Sequence, residues 1–370
     1  MRSYKRLWDQ FVSEDNCREA IDLACRHKGA RGRKGRRARY YRDHADELAP
    51  RLVRYAANFR SAPHRTLRIY DGIRRKERDI TVPTMPEQVV HHMLLNVLRP
   101  MFLRGMYEHS YGSIPGRGPH IAKRRIERWI RHGGRDCKYV LKMDVRKFFD
   151  SVPRDRLRRM LGERVRDRRL MTVIEEVIDG APGEVGIPIG YYTSQWFANF
   201  YLTPLDHFVK ERLGARYYAR YMDDMVVFGP NKRELHRMRM AIADYLRDEL
   251  GLELKSNWQV YLFDYVRRDG TRVGRDLDFM GFRFWRDRTT LRRSLMLKMT
   301  RKARRVGRKS RVRGARTVHD ARQMLSYLGW LDATDTYGMY RRRVGPHVCF
   351  RQMRRQVGRW QRRRNLAIGA

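Results

Sequence analysis

The sequence predicts an α+β fold. Three observations support this: helical and strand periodicities alternate along the chain, a strand-like segment ends at Asp144, and two short apolar segments flank Asp223-Asp224 as a hairpin. In chain order, residues 4–25 carry apolar side chains at helical spacing (Leu7, Phe11, Ala20, Leu23), and the carboxylate-free basic run 26–39 reads as a phosphate-binding loop. Residues 44–57 are expected to form a helix and 66–82 a hairpin around Asp71-Gly72, closed by Pro83 and Pro86. Helices are expected again over 87–102 and 121–132, with a glycine-rich loop at 111–118 between them. Residues 139–145 alternate as a strand, and 153–169 follow as an arginine-rich helix. From 194 to 213 the apolar positions recur every three or four residues, which puts Phe197, Tyr201, Leu205 and Phe208 on one buried helix face. Strands at 215–222 and 225–228, a helix at 232–250 and a strand region at 277–285 complete the pattern; beyond it the chain is basic and mostly helical.

The hydrophobic fraction of 42% in 370 residues is enough for sizeable cores and two or three subdomains. Lys and Arg number 83 against 41 Asp and Glu, a formal charge of +42 that holds a polyanion close, so nucleic acid is the expected partner. Residues 301–370 alone hold 20 Lys and Arg against 3 Asp, as a grip on a duplex backbone requires. A membrane is not expected as a partner, because the sequence has neither a long apolar span nor a basic amphipathic anchor with an aromatic face. The first 18 residues are too polar for a secretory signal, and Cys17, Cys25, Cys137 and Cys349 lack the spacing of a zinc site or a disulfide framework. A cytoplasmic setting is expected.

Asp144, Asp223 and Asp224 are the candidate catalytic and metal-ligating residues. Phosphoryl transfer to a primer hydroxyl uses two Mg²⁺ ions about 4 Å apart, and such ions take hard oxygen ligands from converging strand ends. A plain hairpin turn would favour Asn-Gly or Asp-Gly, so two adjacent carboxylates in an apolar hairpin imply a compensating cation.

Several motifs in order resemble the reverse transcriptase family, over residues 65–342. Arg78 with Ile80 to Pro83 is similar to a motif whose basic residue touches the incoming triphosphate. Ser110-Tyr111-Gly112 and Pro115-Gly116-Arg117 resemble an element of bacterial and intron-encoded members. Lys142-Met143-Asp144-Val145 with Phe148-Phe149-Asp150 resembles the first catalytic motif, and Tyr221-Met222-Asp223-Asp224 the active-site hairpin. Gly186-Ile187-Pro188-Ile189-Gly190, then Ser194-Gln195 and Ala198-Asn199, resemble the nucleotide and template contact region. Leu277 to Phe282, centred on Phe279-Met280-Gly281, resembles the primer-grip strand pair.

The resemblance implies a right-hand polymerase fold: an N-terminal basic helical extension (1–60), fingers (61–135 with part of 155–190), a palm of antiparallel sheet plus helices (136–285) and a basic helical thumb and tail (286–370). It implies nucleotide contacts from Arg78, Phe149, Ile189, Gly190, Gln195 and Lys255, and primer or template contacts from Tyr221, Met222, Phe279, Met280 and Gly281. Phe149, five residues beyond Asp144, would exclude a ribose 2′-hydroxyl and so favour deoxynucleoside triphosphates. Lys255 is the candidate acid for the pyrophosphate leaving group, with a solvated lysine as the plain alternative.

Where most members carry Pro-Gln-Gly and Ser-Pro, this chain has Pro188-Ile189-Gly190 and Ser194-Gln195. Losing an amide beside the nascent pair removes about 1–3 kcal/mol of hydrogen-bond selectivity, so fidelity should fall. This combination, with Ser326-Tyr327-Leu328-Gly329-Trp330, is most similar to the reverse transcriptases of diversity-generating retroelements. That resemblance implies adenine-mutagenised copying of a structured template-repeat RNA, an RNA/cDNA duplex, a small basic accessory protein, and a prokaryotic or phage origin. An intron-type enzyme is an open alternative, although intron maturases usually carry a further domain after the thumb and this chain ends at Ala370. So are a phage-defence enzyme and a non-catalytic RNA-binding scaffold.

Overall fold

Two helices, α1 (Trp8–Phe11) and α2 (Glu14–Cys25), open the chain in the computed structural model, which describes residues 4–26, 28, 32–62, 64–71, 76–180, 183–313 and 316–366. The periodic segment 4–25 is interrupted because the Ser13 side chain accepts from the Asn16 N–H and starts a new helix. The basic run departs from expectation: its second half is the helix α3 (Gly32–Asp43) rather than a loop. Buried Gly35, Ala38 and Tyr41 form the inner stripe of α3, with Arg36, Arg37 and Arg39 exposed. Residues 27 and 29–31 of that run lie outside the described residues.

After α4 (Ala45–Ala57), the strands β1 (Arg65–Asp71) and β2 (Lys76–Val82) pair antiparallel with Arg65 opposite Val82; Gly72, the expected turn residue, lies outside the described residues. Helix α5 (Met85–Gly105) starts where the Glu87 carboxylate accepts from the Thr84 N–H and hydroxyl, both at 2.7 Å. Then come α6 (Pro119–His132), β3 (Tyr139–Asp144), α7 (Phe148–Ser151), α8 (Arg154–Arg164) and α9 (Arg168–Asp179). The single helix expected at 153–169 is therefore two. Val165 leaves the helix to bridge Tyr4, and Asp167 caps the next one by accepting from the N–H groups of Leu170 and Trp8.

The continuous helix expected at 194–213 is likewise divided, into α10 (Tyr192–Tyr201), α11 (Thr203–His207) and a π turn at Phe208–Arg212. Pro204 has no N–H to give to the preceding turn, so the ladder restarts there. Phe197, Tyr201 and Leu205 are buried as expected, while Phe208 is half-buried and Val209 takes the interior position.

The rest of the chain forms β4 (Tyr217–Tyr221), β5 (Asp224–Gly229), α12 (Lys232–Asp248), β6 (Gln259–Leu262), β7 (Tyr265–Val266), β8 (Arg272–Val273), β9 (Leu277–Phe279), β10 (Phe282–Phe284) and β11 (Thr289–Leu291). Helices α13 (Arg293–Arg313), α14 (Val318–Leu325), α15 (Leu328–Asp332), α16 (Tyr337–Arg343) and α17 (Phe350–Leu366) follow. The expected α+β mixture is what the structure has.

Two units can be distinguished, one of residues 1–118, 141–228 and 232–260, the other of 119–140, 229–231 and 261–370. The central sheet has the order β4-β5-β3-β6. In the first unit Leu141, Met143, Val226 and Phe197 are buried. In the second, β11-β10-β9 form a sheet whose Phe279, Phe282 and Phe284 are fully buried. No helix among the described residues is long and apolar enough to cross a membrane, and the four cysteines are free thiols.

Candidate active site

The sheet order brings two acidic strand ends together. Asp144 is the last residue of β3, Asp223 lies in the turn between β4 and β5, and β3 and β5 are neighbours. The Val145 N–H donates to the Asp223 carbonyl at 3.3 Å, which fixes the two ends side by side. Burial, then the Asp144 charge and a hydrogen bond between the two carboxyl groups, push the Asp223 carboxyl up to about 6. Lys255 closes the group: its backbone N–H donates to the Asp144 carbonyl at 2.9 Å, and its Nζ lies 2.9 Å from Asp144 Oδ2. That hydrogen bond to Asp144 holds the ammonium above its ordinary value.

Two carboxyl groups at adjoining strand ends, offering oxygen ligands alone, fit a hard cation that completes its shell with water and phosphate oxygens. Among the described residues no three metal-ligating side chains gather into one cage. Asp224, expected as a third ligand, begins β5 directly after the turn that carries Asp223; it is half-buried, and its charge acts on Lys255.

A buried framework holds the acidic turn. Met222 has φ +55°, an uncommon conformation for a residue with a side chain. Arg220 donates from Nη1 to the Met222 carbonyl at 2.9 Å and to Asn199 Oδ1 at 3.1 Å. It also grips Asp206 through two bonds of 2.7 and 2.6 Å, with both side chains fully buried. The Tyr218 hydroxyl donates to Asp206 Oδ1 at 2.7 Å, and the Asn199 amide donates to the Gly112 carbonyl at 2.7 Å. Gly112 lies so close behind the turn that a Cβ there would sit 2.6 Å from the Met222 side chain. Met222 was expected to touch primer or template; its side chain is instead buried between Gly112 and Asn199, leaving only its backbone at the turn. The sequence pattern did not single out Arg220 and Asp206. The available signal was a charge in each of two otherwise mostly apolar stretches, Tyr217 to Met222 and Phe200 to Asp206.

The residues expected around the nucleotide fall on a second set of elements in the same unit. Phe148 is buried and Phe149 half-exposed on α7. The Phe149 carbonyl accepts from the Ile187 N–H at 2.7 Å, and Arg154 Nε donates to the Gly186 carbonyl at 2.8 Å. At the other end the Thr81 N–H on β2 donates to the Ile189 carbonyl at 2.8 Å. Gly190, at φ +123°, is required there, since a Cβ would lie 2.1 Å from the Thr81 carbonyl oxygen. Arg78 is half-buried on the same strand, opposite Ile69, and Gln195 is exposed in the first turns of α10. Tyr221 pairs with Asp224 across the hairpin and is half-buried. Phe279, Met280 and Gly281 belong to the second unit. Phe279 is fully buried there and cannot contact primer or template through its side chain; Met280 (φ +53°) and Gly281 (φ +92°) form the turn between β9 and β10.

The family described as reverse transcriptase (RNA-dependent DNA polymerase) matches residues 71–283. An uncharacterized 91 kDa protein in the cob intron of Schizosaccharomyces pombe is 30% identical over 142 residues, covering 36% of this chain and 17% of that protein. Nuclear intron maturase 1, mitochondrial, of Arabidopsis thaliana is 33% identical over 93 residues, covering 25% of this chain and 12% of that protein. The chain thus spans less than a fifth of the length of either relative. Among solved structures, telomerase from Candida albicans in complex with a TWJ fragment of telomeric RNA is similar at 13% identity and a TM-score of 0.45, covering 65% of this chain and 50% of that one.

Proposed function

The chain belongs to the reverse transcriptase (RNA-dependent DNA polymerase) family, with its right-hand polymerase fold, and from that premise we propose that it extends a primer with deoxynucleotides on an RNA template. One observation carries the reading: Asp144 and Asp223 meet at adjoining strand ends, where the Val145 N–H donates to the Asp223 carbonyl at 3.3 Å, with Lys255 Nζ 2.9 Å from Asp144. Asp144 and Asp223, with Asp224 adjoining, are the residues that would hold two Mg²⁺ ions, which when bound activate the primer oxygen and offset charge on the triphosphate. Lys255 donates a proton to the departing pyrophosphate, Arg78 meets the triphosphate, and Phe149 lies against the sugar. Ile189, Gly190 and Gln195 face the nascent pair, while Tyr221 and the turn at Met280-Gly281 steady primer and template. The basic surfaces take up RNA and the RNA/cDNA duplex through phosphate contacts.

The test is Asp223→Asn, which removes a charge and keeps the shape. Mg²⁺-dependent extension on RNA should be lost while RNA affinity stays within about twofold, since the substitution touches no phosphate contact. Equal extension by both proteins rejects the polymerase reading in favour of an RNA-binding scaffold.

Within the family, Ile189 supports mutagenic copying of a template-repeat RNA for a diversity-generating retroelement, in a prokaryotic or phage-encoded cytoplasmic setting with a small basic accessory protein. The similarity to the cob intron protein and the nuclear intron maturase supports a second reading, an intron-type enzyme. Sequencing cDNA from wild type and Ile189→Gln separates the two. Excess errors at template adenines that fall in the variant support the first; an even spectrum in both supports the second.

A further inference from the structure

Beside the nucleotide loop lies a set of buried polar groups that the chemistry above does not use. Glu87 on α5 is completely buried, and His91 and Tyr191 are nearly so. Glu87 Oε1 accepts from the Ala62 N–H at 3.1 Å and lies 2.8 Å from His64 Nε2; the His64 side chain is also enclosed. On its far side His64 Nδ1 is 2.6 Å from the Tyr191 hydroxyl, which also donates to the Gly180 carbonyl at 3.1 Å. The Tyr191 ring packs against His64 and His91, and the next residue, Tyr192, stacks on His92 at 4.3 Å.

Enclosed polar groups are unfavourable unless every bond is made, so a relay of this kind holds one arrangement and resists others. This one ties together four separate segments: the approach to β1, the first turns of α5, the end of α9 and the start of α10. Its last member directly follows Gly190. The turn at Ile189-Gly190 is thus held on one side by the Thr81 N–H and on the other by the Tyr191 hydroxyl.

We propose that Tyr191, backed by His64 and Glu87, is a positioning residue that sets the place of the Ile189-Gly190 turn and thereby how strictly an incoming nucleotide is selected. The inference rests on the proposed contact between that turn and the nucleotide. Tyr191→Phe keeps the ring and deletes the hydroxyl. Without nucleotide, amide exchange at residues 189–192 should quicken by about fivefold to tenfold, the worth of one buried hydrogen bond. In primer extension by the full chain, the KM for deoxynucleotide should rise by roughly the same factor with kcat within about twofold, and the misincorporation frequency should change. Glu87→Gln should shift all three in the same direction. Ile242→Val, in the core of α12, supplies a comparable loss of stability and should leave KM and errors unchanged.

Unaltered exchange in Tyr191→Phe overturns the inference, as does a KM that moves only together with kcat and thermal stability. If exchange quickens while KM and errors stay put, positioning is refuted. Ile189→Gln then tells which premise failed: altered errors in that variant keep the nucleotide contact and discard the relay, and unaltered errors discard the contact itself.

Discussion

Replacing Arg220 by Met would leave the Asp206 carboxylate, wholly enclosed, with the Tyr218 hydroxyl and no guanidinium. Deleting one partner of a buried ion pair costs about 3–5 kcal/mol. The Met222 carbonyl and the Asn199 amide oxygen lose a donor as well, at about 1 kcal/mol each. At about 2–4 °C per kcal/mol, the total of about 5–7 kcal/mol should lower the thermal midpoint by roughly 10–28 °C. That variant alone cannot separate stability from positioning, so the informative one is Asp206→Leu with Arg220→Met and Tyr218→Phe. It removes the charges and the hydroxyl together and should return to within about 1–2 kcal/mol of wild type. The left-handed Met222 backbone, however, still lacks the donor that fixes its carbonyl. Primer extension should therefore stay at least about tenfold down, equivalent to about 1.4 kcal/mol of lost transition-state stabilisation. Urea titration and steady-state extension on a defined RNA provide the two readouts. Recovery of both stability and activity in the triple variant would refute the reasoning, because the buried pair would then serve packing alone.

Four further outcomes are expected. Burial holds the His91 and His92 imidazoles down, to about 3 and about 4, so below about pH 6.5 the unfolded chain binds protons that the folded chain refuses. Their contribution to stability is complete above that pH and declines on acidification by up to about 1.4 kcal/mol per pH unit for each; His92→Phe should flatten the fall between urea midpoints at about pH 7 and about pH 5, and an unchanged fall contradicts the assignment. Phe149→Val should raise ribonucleotide relative to deoxynucleotide incorporation by about tenfold or more, measured by competition, if the half-exposed ring meets the sugar. Gly190→Ala must push against the Thr81 carbonyl, and a cost of about 1–3 kcal/mol should appear as a lower melting temperature with a higher nucleotide KM. Lys255→Met should lower kcat by about a hundredfold with little change in KM; a variant as fast as wild type would return Lys255 to the role of a solvated lysine.

Legibility in the sequence followed the range of the interactions concerned. The hairpin at 66–82, the strand ending at Asp144 and the hairpin around Asp223 could be read because alternation and turn chemistry act over a few residues. The helix breaks were less legible. Asp167 is a capping residue visible in the sequence, but it starts a helix there because Tyr4 pairs with Val165 far away in the chain. The basic run 26–39 read as a loop on its charge, although Gly35, Ala38 and Tyr41 carry a helical stripe that three residues are too few to announce.

What the sequence by itself determined was the α+β pattern, the strongly basic charge and the positions of the acidic residues, since composition and motif spacing are properties of the covalent chain. Which of those acids pair, and what holds them, only the tertiary structure decided. Asp144 and Asp223 are 79 positions apart by their numbers and meet only through the β5-β3 pairing. The Arg220–Asp206 pair and the Glu87–His64–Tyr191 relay likewise join residues on different elements. A buried polar group must find its partner in space rather than along the chain, and no local rule specifies where that partner will be.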